Sequence, residues 1–159
     1  MKILLLMCIS TFLVLSACGS SNDSSTSENV SKDTIYQEKF VNKLDEAQIS
    51  PELPQKIPYE NYSKDISIMN SQKTISIMYI PQDANMGLKL EVFGGDVNLS
   101  GDGETLEIDQ GKATYINADQ AHILKWKKDN LSYTLSSPKN GELNKENLIE
   151  VANSFERLK

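Results

Sequence analysis

Leu124-Lys125-Trp126-Lys127-Lys128-Asp129-Asn130-Leu131-Ser132-Tyr133-Thr134-Leu135 is the stretch that decides the fold. Apolar and polar residues alternate on both sides of Asp129-Asn130, a dipeptide that tolerates the positive φ a two-residue hairpin turn demands. With those residues at the centre of the turn, Trp126 faces Tyr133 and Leu124 faces Leu135. A slip of one residue would send every apolar side chain to the wrong face, so the register is strongly specified. The spacing predicts an antiparallel hairpin whose Trp126–Tyr133 pair is a main core contact, contributing about 0.2–1 kcal/mol beyond its burial.

The period of two extends outward from this hairpin. Ile66 and Ile68 alternate with polar residues, as do Ile75, Ile77 and Tyr79, then Leu88, Leu90 and Val92, then Leu106 and Ile108. Turn-rich segments separate these runs, which therefore read as strands. If Gln110-Gly111 form the centre of a second tight turn, Ile108 faces Ala113 and Leu106 faces Tyr115.

Helical spacing appears at both ends. Tyr36, Phe40, Leu44 and Ala47 fall on one face of a helix near residues 34–48. Pro51, Pro54 and Pro58 follow; each fixes φ and lacks an N–H, so this part is an extended connector and not a central strand or helix. Near the C-terminus Asn144 suits an N-cap and Glu146 puts negative charge in the first turn. Leu148, Val151, Ala152, Phe155 and Leu158 then form an apolar stripe. The expected fold class is α+β: an antiparallel β-sheet of six or seven strands covered by a C-terminal α-helix, plus the helix near residues 34–48.

What precedes the domain reads as an export signal. Lys2 supplies a positive start, Ile3 to Leu15 an apolar run, and Leu15-Ser16-Ala17-Cys18 the small residues and the cysteine of a lipobox. Thirteen residues are too few for a transmembrane helix, which needs about 20. These residues resemble the bacterial lipoprotein signal, which implies cleavage before Cys18 and diacylglyceryl attachment to its thiol. Two acyl chains anchor firmly where one is marginal. Cys8 would leave with the signal, so with Cys18 acylated no thiol remains for a disulfide or a metal. The expected organisation is a signal peptide at residues 1–17, a flexible Ser/Asn-rich tether at 18–33 and one domain at 34–159. The protein would be lipid-anchored on the extracytoplasmic face of the cell membrane, its membrane partner met through Cys18.

The charge balance narrows the partners. The chain has 16 basic and 22 acidic residues, a net charge of −6. Such a surface repels nucleic acid and anionic head groups, so no nucleic-acid partner is expected. Lys125, Lys127 and Lys128 read as the solvent face opposite Trp126 and not as a nucleic-acid patch.

One segment has the spacing of a cation loop. Asp96, Asn98, Ser100, Gly101, Asp102, Glu104 and Glu107 occupy places 1, 3, 5, 6, 7, 9 and 12 of a Ca²⁺-loop pattern. Gly103 stands where such loops keep an aliphatic residue, the flanks read as strands, and Asn, Asp and Gly are the ordinary composition of a solvated hairpin loop. No metal site is assigned, and no cofactor or catalytic residue. His122 is the single histidine; no Ser-His or Cys-His arrangement is expected to close around it, and no metal site with two imidazoles is possible, so it reads as an edge or turn residue.

The later elements carry a resemblance. Pro51-Glu52-Leu53-Pro54, Met78-Tyr79-Ile80, Ile108-x-x-Gly111-Lys112-Ala113-x-Tyr115, Leu124-Lys125-Trp126, Leu131-Ser132-Tyr133-Thr134-Leu135 and Leu148-Ile149-Glu150-Val151-Ala152-Asn153-Ser154 occur in an order similar to that of the bacterial domain of unknown function 4367. The similarity covers roughly residues 50–157; the polar excursion from Gly94 to Glu104 departs from it. The resemblance implies an envelope or lipoprotein context and brings no activity. The expectation is a non-enzymatic envelope lipoprotein that binds an unidentified envelope protein or ligand. The alternatives are a carrier holding a lipid or other apolar molecule between sheet and helix, and a hydrolase with a carboxylate pair.

Overall fold

The computed structural model describes residues 38–95 and 102–158. Among them are helix α1 (Glu38–Ala47) and strands β1 (Glu52–Pro54), β2 (Tyr62–Met69), β3 (Thr74–Pro81), β4 (Leu88–Gly94), β5 (Glu104–Ile108), β6 (Gly111–Asn117), β7 (Ala121–Lys128) and β8 (Leu131–Pro138). Helix α2 (Lys145–Asn153) and strand β9 (Phe155–Arg157) complete the chain. The signal, Cys18, the tether and residues 34–37 of the expected first helix lie outside the described residues.

Seven strands form one antiparallel sheet in the order β2-β3-β4-β8-β7-β6-β5. The expectation of an antiparallel sheet with two helices holds, and the structure is mostly β. Its inner face is built in rows. Ile68, Ile75, Val92, Tyr133, Trp126, Ala113 and Leu106 stand opposite one another across all seven strands, and Ile66, Ile77, Leu90, Leu135, Leu124 and Tyr115 form the next row. Helix α1 lies against β2, and Phe40, Leu44 and Ala47 join the core. Helix α2 lies against β7, β8 and β5 and contributes Leu148, Val151 and Ala152.

The Trp126 hairpin has the expected register, with Trp126 opposite Tyr133 and Leu124 opposite Leu135. Asp129 and Asn130 have φ of 51° and 61°, so both central residues occupy the left-handed region that a tight primed turn requires. The other hairpin differs. Leu106 stands opposite Ala113, Glu104 opposite Tyr115 and Ile108 opposite Gly111, two residues from the expected pairing. The turn centre is Asp109-Gln110, and the positive φ, 111°, falls on Gly111 just after it. A two-residue shift preserves which face each side chain takes, so hydrophobic pattern alone could not separate the two registers.

The C-terminus also departs from expectation. The helix stops at Asn153, and Phe155 and Leu158 are not on it; Phe155–Arg157 is a strand. That strand pairs antiparallel with β1, Pro54 opposite Phe155 and Glu52 opposite Arg157. The proline-rich connector is therefore extended, as its φ restriction requires, and half of a two-stranded ribbon. Asn144 caps α2: its side chain accepts from the Asn147 amide, and the Asn147 side chain accepts from the Asn144 amide.

The ribbon is held to the sheet by aromatic packing and polar ties. Trp126 stacks on Tyr133 at 5.1 Å between ring centroids, and Phe155 meets both edge-on at 5.1 and 5.8 Å. The Glu52 amide donates to the Tyr133 hydroxyl at 3.1 Å. Lys128 donates to Glu52 Oε2 at 2.7 Å and Gln110 Oε1 at 2.6 Å, while the Asp109 amide donates to Asn153 Oδ1 at 2.9 Å. The ribbon and the end of α2 are thus fastened to the turns of both hairpins.

Two predictions follow from this geometry. A Cβ on Gly87 would lie 1.9 Å from the Tyr79 carbonyl oxygen, whereas one on Gly111 meets open space and only its φ is unfavourable. In denaturant unfolding Gly87→Ala should therefore cost about 3 kcal/mol, the upper part of the range for overpacking, and Gly111→Ala about 1 kcal/mol. The Tyr133 hydroxyl is pushed up to about 12, first by burial, against the opposing pull of the Glu52 amide. The native state then keeps a proton that the unfolded chain releases near pH 10, so this stabilisation is present below pH 10 and is lost between pH 10 and 12. It amounts to at most about 2.7 kcal/mol. Tyr133→Phe should flatten the fall in stability across that window relative to the unaltered protein.

Candidate functional site

The strand alternation that buries one face of the sheet leaves the middle of the other exposed or half-buried, while Thr74 and Ser132 at the Trp126-hairpin end of that second face are buried. Its central row is Ser67, Ser76, Glu91, Thr134, Lys125, Thr114 and Thr105, opposite one another across the seven strands. A neighbouring row contains Asp65, Met78, Lys89, Ser136, Ile123 and Ile116. Met78, Ile116 and Ile123 are half-buried there, and Lys89 and Glu91 form an ion pair at 2.7 Å. Lys125 and Lys127 belong to this open face, as expected. Lys128 does not: it has the parity of Trp126, and it turns inward to Glu52 and Gln110.

At the sheet end opposite the Trp126 hairpin turn, loops gather over the strand ends. A cleft of about 550 Å³ lies between the connector at residues 58–61, the β3–β4 loop and the segment after β8. Tyr59, Met86, Ser137 and the carboxylates Glu60, Asp83 and Glu142 are among its walls. This volume is within the usual range of about 300–1,000 Å³ for small-ligand sites. Burial, and then the nearby Glu142, push the Tyr59 hydroxyl up, against the Leu88 backbone, so at neutral pH it stays protonated. Met86, 58% exposed, gives the cleft an apolar rim.

A polar cluster lies on the inner face beyond the hydrophobic rows. His122 is on β7, one strand from Tyr115, and its Nδ1 is 2.7 Å from the Tyr115 hydroxyl. Lys145, the first residue of α2, bonds Glu104 at 2.7 Å and sits 5.4 Å from the centre of the Tyr115 ring. Burial pushes the Tyr115 hydroxyl up, and Lys145 pulls it back. Which of the two groups donates is set by the imidazole tautomer. The cluster fastens α2 to β5 and β6 and explains His122, which is a strand residue and not a turn residue. The sequence reading missed it because the two-residue register error put Leu106, and not Glu104, opposite Tyr115.

Of the Ca²⁺-loop pattern, Asp96, Asn98, Ser100 and Gly101 lie outside the described residues, as does Cys18. Glu104 and Glu107 fall on opposite faces of β5, the first held by Lys145 and the second opposite Lys112, so they do not converge. Among the described residues no group of three or more His, Cys, Asp or Glu side chains is arranged to hold a metal ion. No helix among them is long and apolar enough to cross a membrane.

The chain matches the family described as Domain of unknown function (DUF4367) over residues 53–155, from β1 to the first residue of β9. No curated protein and no solved structure matches it. The matched span holds the sheet, the cleft and the polar cluster; α1 lies before it.

Proposed function

The chain belongs to the DUF4367 family, and from that premise we propose that it is a cell-envelope lipoprotein, anchored through Cys18, whose domain binds a ligand or partner and performs no catalysis. The observation that carries this reading is Leu15-Ser16-Ala17-Cys18 directly after the apolar run, followed by a polar tether and then a folded domain. The tether gives the domain reach from the bilayer, and the open sheet face and the end cleft are its ligand-facing surfaces. In this reading α2 and the β1–β9 ribbon serve as the cover of the apolar face. That role favours binding at the outside over carriage of an apolar molecule within: Trp126, Tyr133, Leu148, Val151, Ala152 and Phe155 fill the space under the cover, each 5% exposed or less.

The direct test is metabolic labelling with a fatty-acid analogue. The unaltered protein should incorporate label and partition into detergent, whereas Cys18→Ala should incorporate none and accumulate as an uncleaved or released product. Equal labelling of the two proteins would contradict the lipid anchor.

A further inference from the structure

We propose that the cleft at the loop end of the sheet binds a linear polyamine, its ammonium groups on Glu60, Asp83 and Glu142 and its methylenes against Tyr59 and Met86; this rests on the reading of the domain as a binding module, and not on its lipid anchor. The cleft of about 550 Å³ has these three carboxylates in its walls, and among the described residues no Lys, Arg or His lines it. Lys139, between two wall residues in the chain, is turned to the β6–β7 loop: its ammonium donates to the Ala118 carbonyl at 3.3 Å and its amide to that of Gln120 at 3.0 Å. The charge in the walls is therefore of one sign, which draws a cation in.

Backbone bonds hold those walls in place. The Gln82 amide donates to the Asn61 carbonyl at 3.2 Å and joins the connector to the β3–β4 loop, while Ala84 to Pro81 at 3.1 Å and Gly141 to Pro138 at 3.0 Å close the two turns. Gly87 packs so near the Tyr79 carbonyl that a Cβ there would lie 1.9 Å from its oxygen, which fixes the base of the loop carrying Met86. Tyr59 is half-buried, and the Leu88 backbone bonds its hydroxyl. A site formed in advance lowers the ordering that binding costs.

One buried polar group in the wall lacks a good partner. Ser137 is 1% exposed, yet its hydroxyl reaches the Pro138 carbonyl only at 3.5 Å, beyond the usual range of about 2.5–3.0 Å for such a bond. Buried hydroxyls are ordinarily better satisfied. Gly141 leaves room beside it, since a Cβ there would stand 3.7 Å from the hydroxyl oxygen. That oxygen has lone pairs to accept from an ammonium.

The kind of cation follows from how the acids are spread. Three carboxylates converging on one point would hold a metal ion, but among the described residues no group of three is so arranged. Ammonium groups distributed along an alkyl chain match separate carboxylates. Tyr59 and Met86 offer that chain a π face and a polarisable thioether. The volume is that of a small-ligand site.

The test is calorimetric titration of spermidine into the full-length acylated protein in uncharged detergent, where one site per chain is expected. Glu60→Gln, Asp83→Asn and Glu142→Gln should each weaken binding about three-fold, as loss of an exposed ion pair does, and all three together about 20-fold. These acids are exposed, so their replacement leaves folding intact. Tyr59→Leu should weaken binding about three-fold. Asp45→Asn, Glu46→Gln and Glu150→Gln combined change the net charge equally, on the helices, and should leave the affinity unaltered. Absence of binding, equal weakening by that helix control, or displacement of spermidine by calcium at matched ionic strength would overturn the proposal. Fatty-acid labelling of the same preparation reads the anchor separately. A labelled protein that binds no spermidine overturns the polyamine site alone; an unlabelled protein that binds it contradicts the anchor and supports the site.

Discussion

Trp126 lies flat on Tyr133 at 5.1 Å and takes the edge of Phe155 at the same distance, and through that contact the β1–β9 ribbon is joined to the seven-stranded sheet. Phe155 is on β9, β9 pairs with β1, and β1 delivers its Glu52 amide to the Tyr133 hydroxyl. Residues 52–54 and 155–157 are therefore fixed by one aromatic cluster on a hairpin of strong register. Aromatic pairs of this kind contribute about 0.5–1.5 kcal/mol each beyond the area they bury. The polar ties around them have a different role. Lys128, Gln110, Asn153 and Arg157 fasten the ribbon to the two turns; the bonds of Lys128 and Gln110 are part-buried and cost more when broken than they contribute when made, whereas those of Asn153 and Arg157 are exposed.

How much of this was legible in the sequence depended on whether local pattern or distant partner decided the structure. Asp129-Asn130 encodes its own backbone, so the Trp126 hairpin could be registered from the sequence. Gln110-Gly111 misled because the glycine, needed for positive φ, stands after the turn and not within it, and a shift of two leaves the apolar pattern intact. The β1–β9 ribbon was not legible. Three residues are too short to show a period, Pro54 argues against a strand, and Phe155 continues the helical stripe of Leu148, Val151 and Ala152. Its pairing depends on contacts about 100 residues apart in the chain. The Tyr115–His122–Lys145–Glu104 cluster was hidden for the same reason, since it requires the true β5–β6 register and the position of α2.

Charge shows a similar difference between average and arrangement. A net charge of −6 describes the chain as a whole, yet the strand period places Lys112, Lys125 and Lys127 on one face, with Glu107 opposite Lys112, and removes Lys128 from it. The end cleft, in contrast, gathers Glu60, Asp83 and Glu142 around Tyr59. The domain thus presents chemically different surfaces on its open face and at its loop end, both positioned by a rigid sheet, as binding surfaces on such scaffolds commonly are.

The dependence of the terminal ribbon on the aromatic cluster is most directly measured by a double-mutant cycle. Unfolding free energies of Trp126→Leu, Phe155→Leu and the double variant would be compared with the unaltered protein. A coupling of about 1 kcal/mol is expected, because the edge-to-face contact exists only when both rings are present. Additivity of the two substitutions would contradict it, and would mean that ribbon and hairpin are stabilised independently.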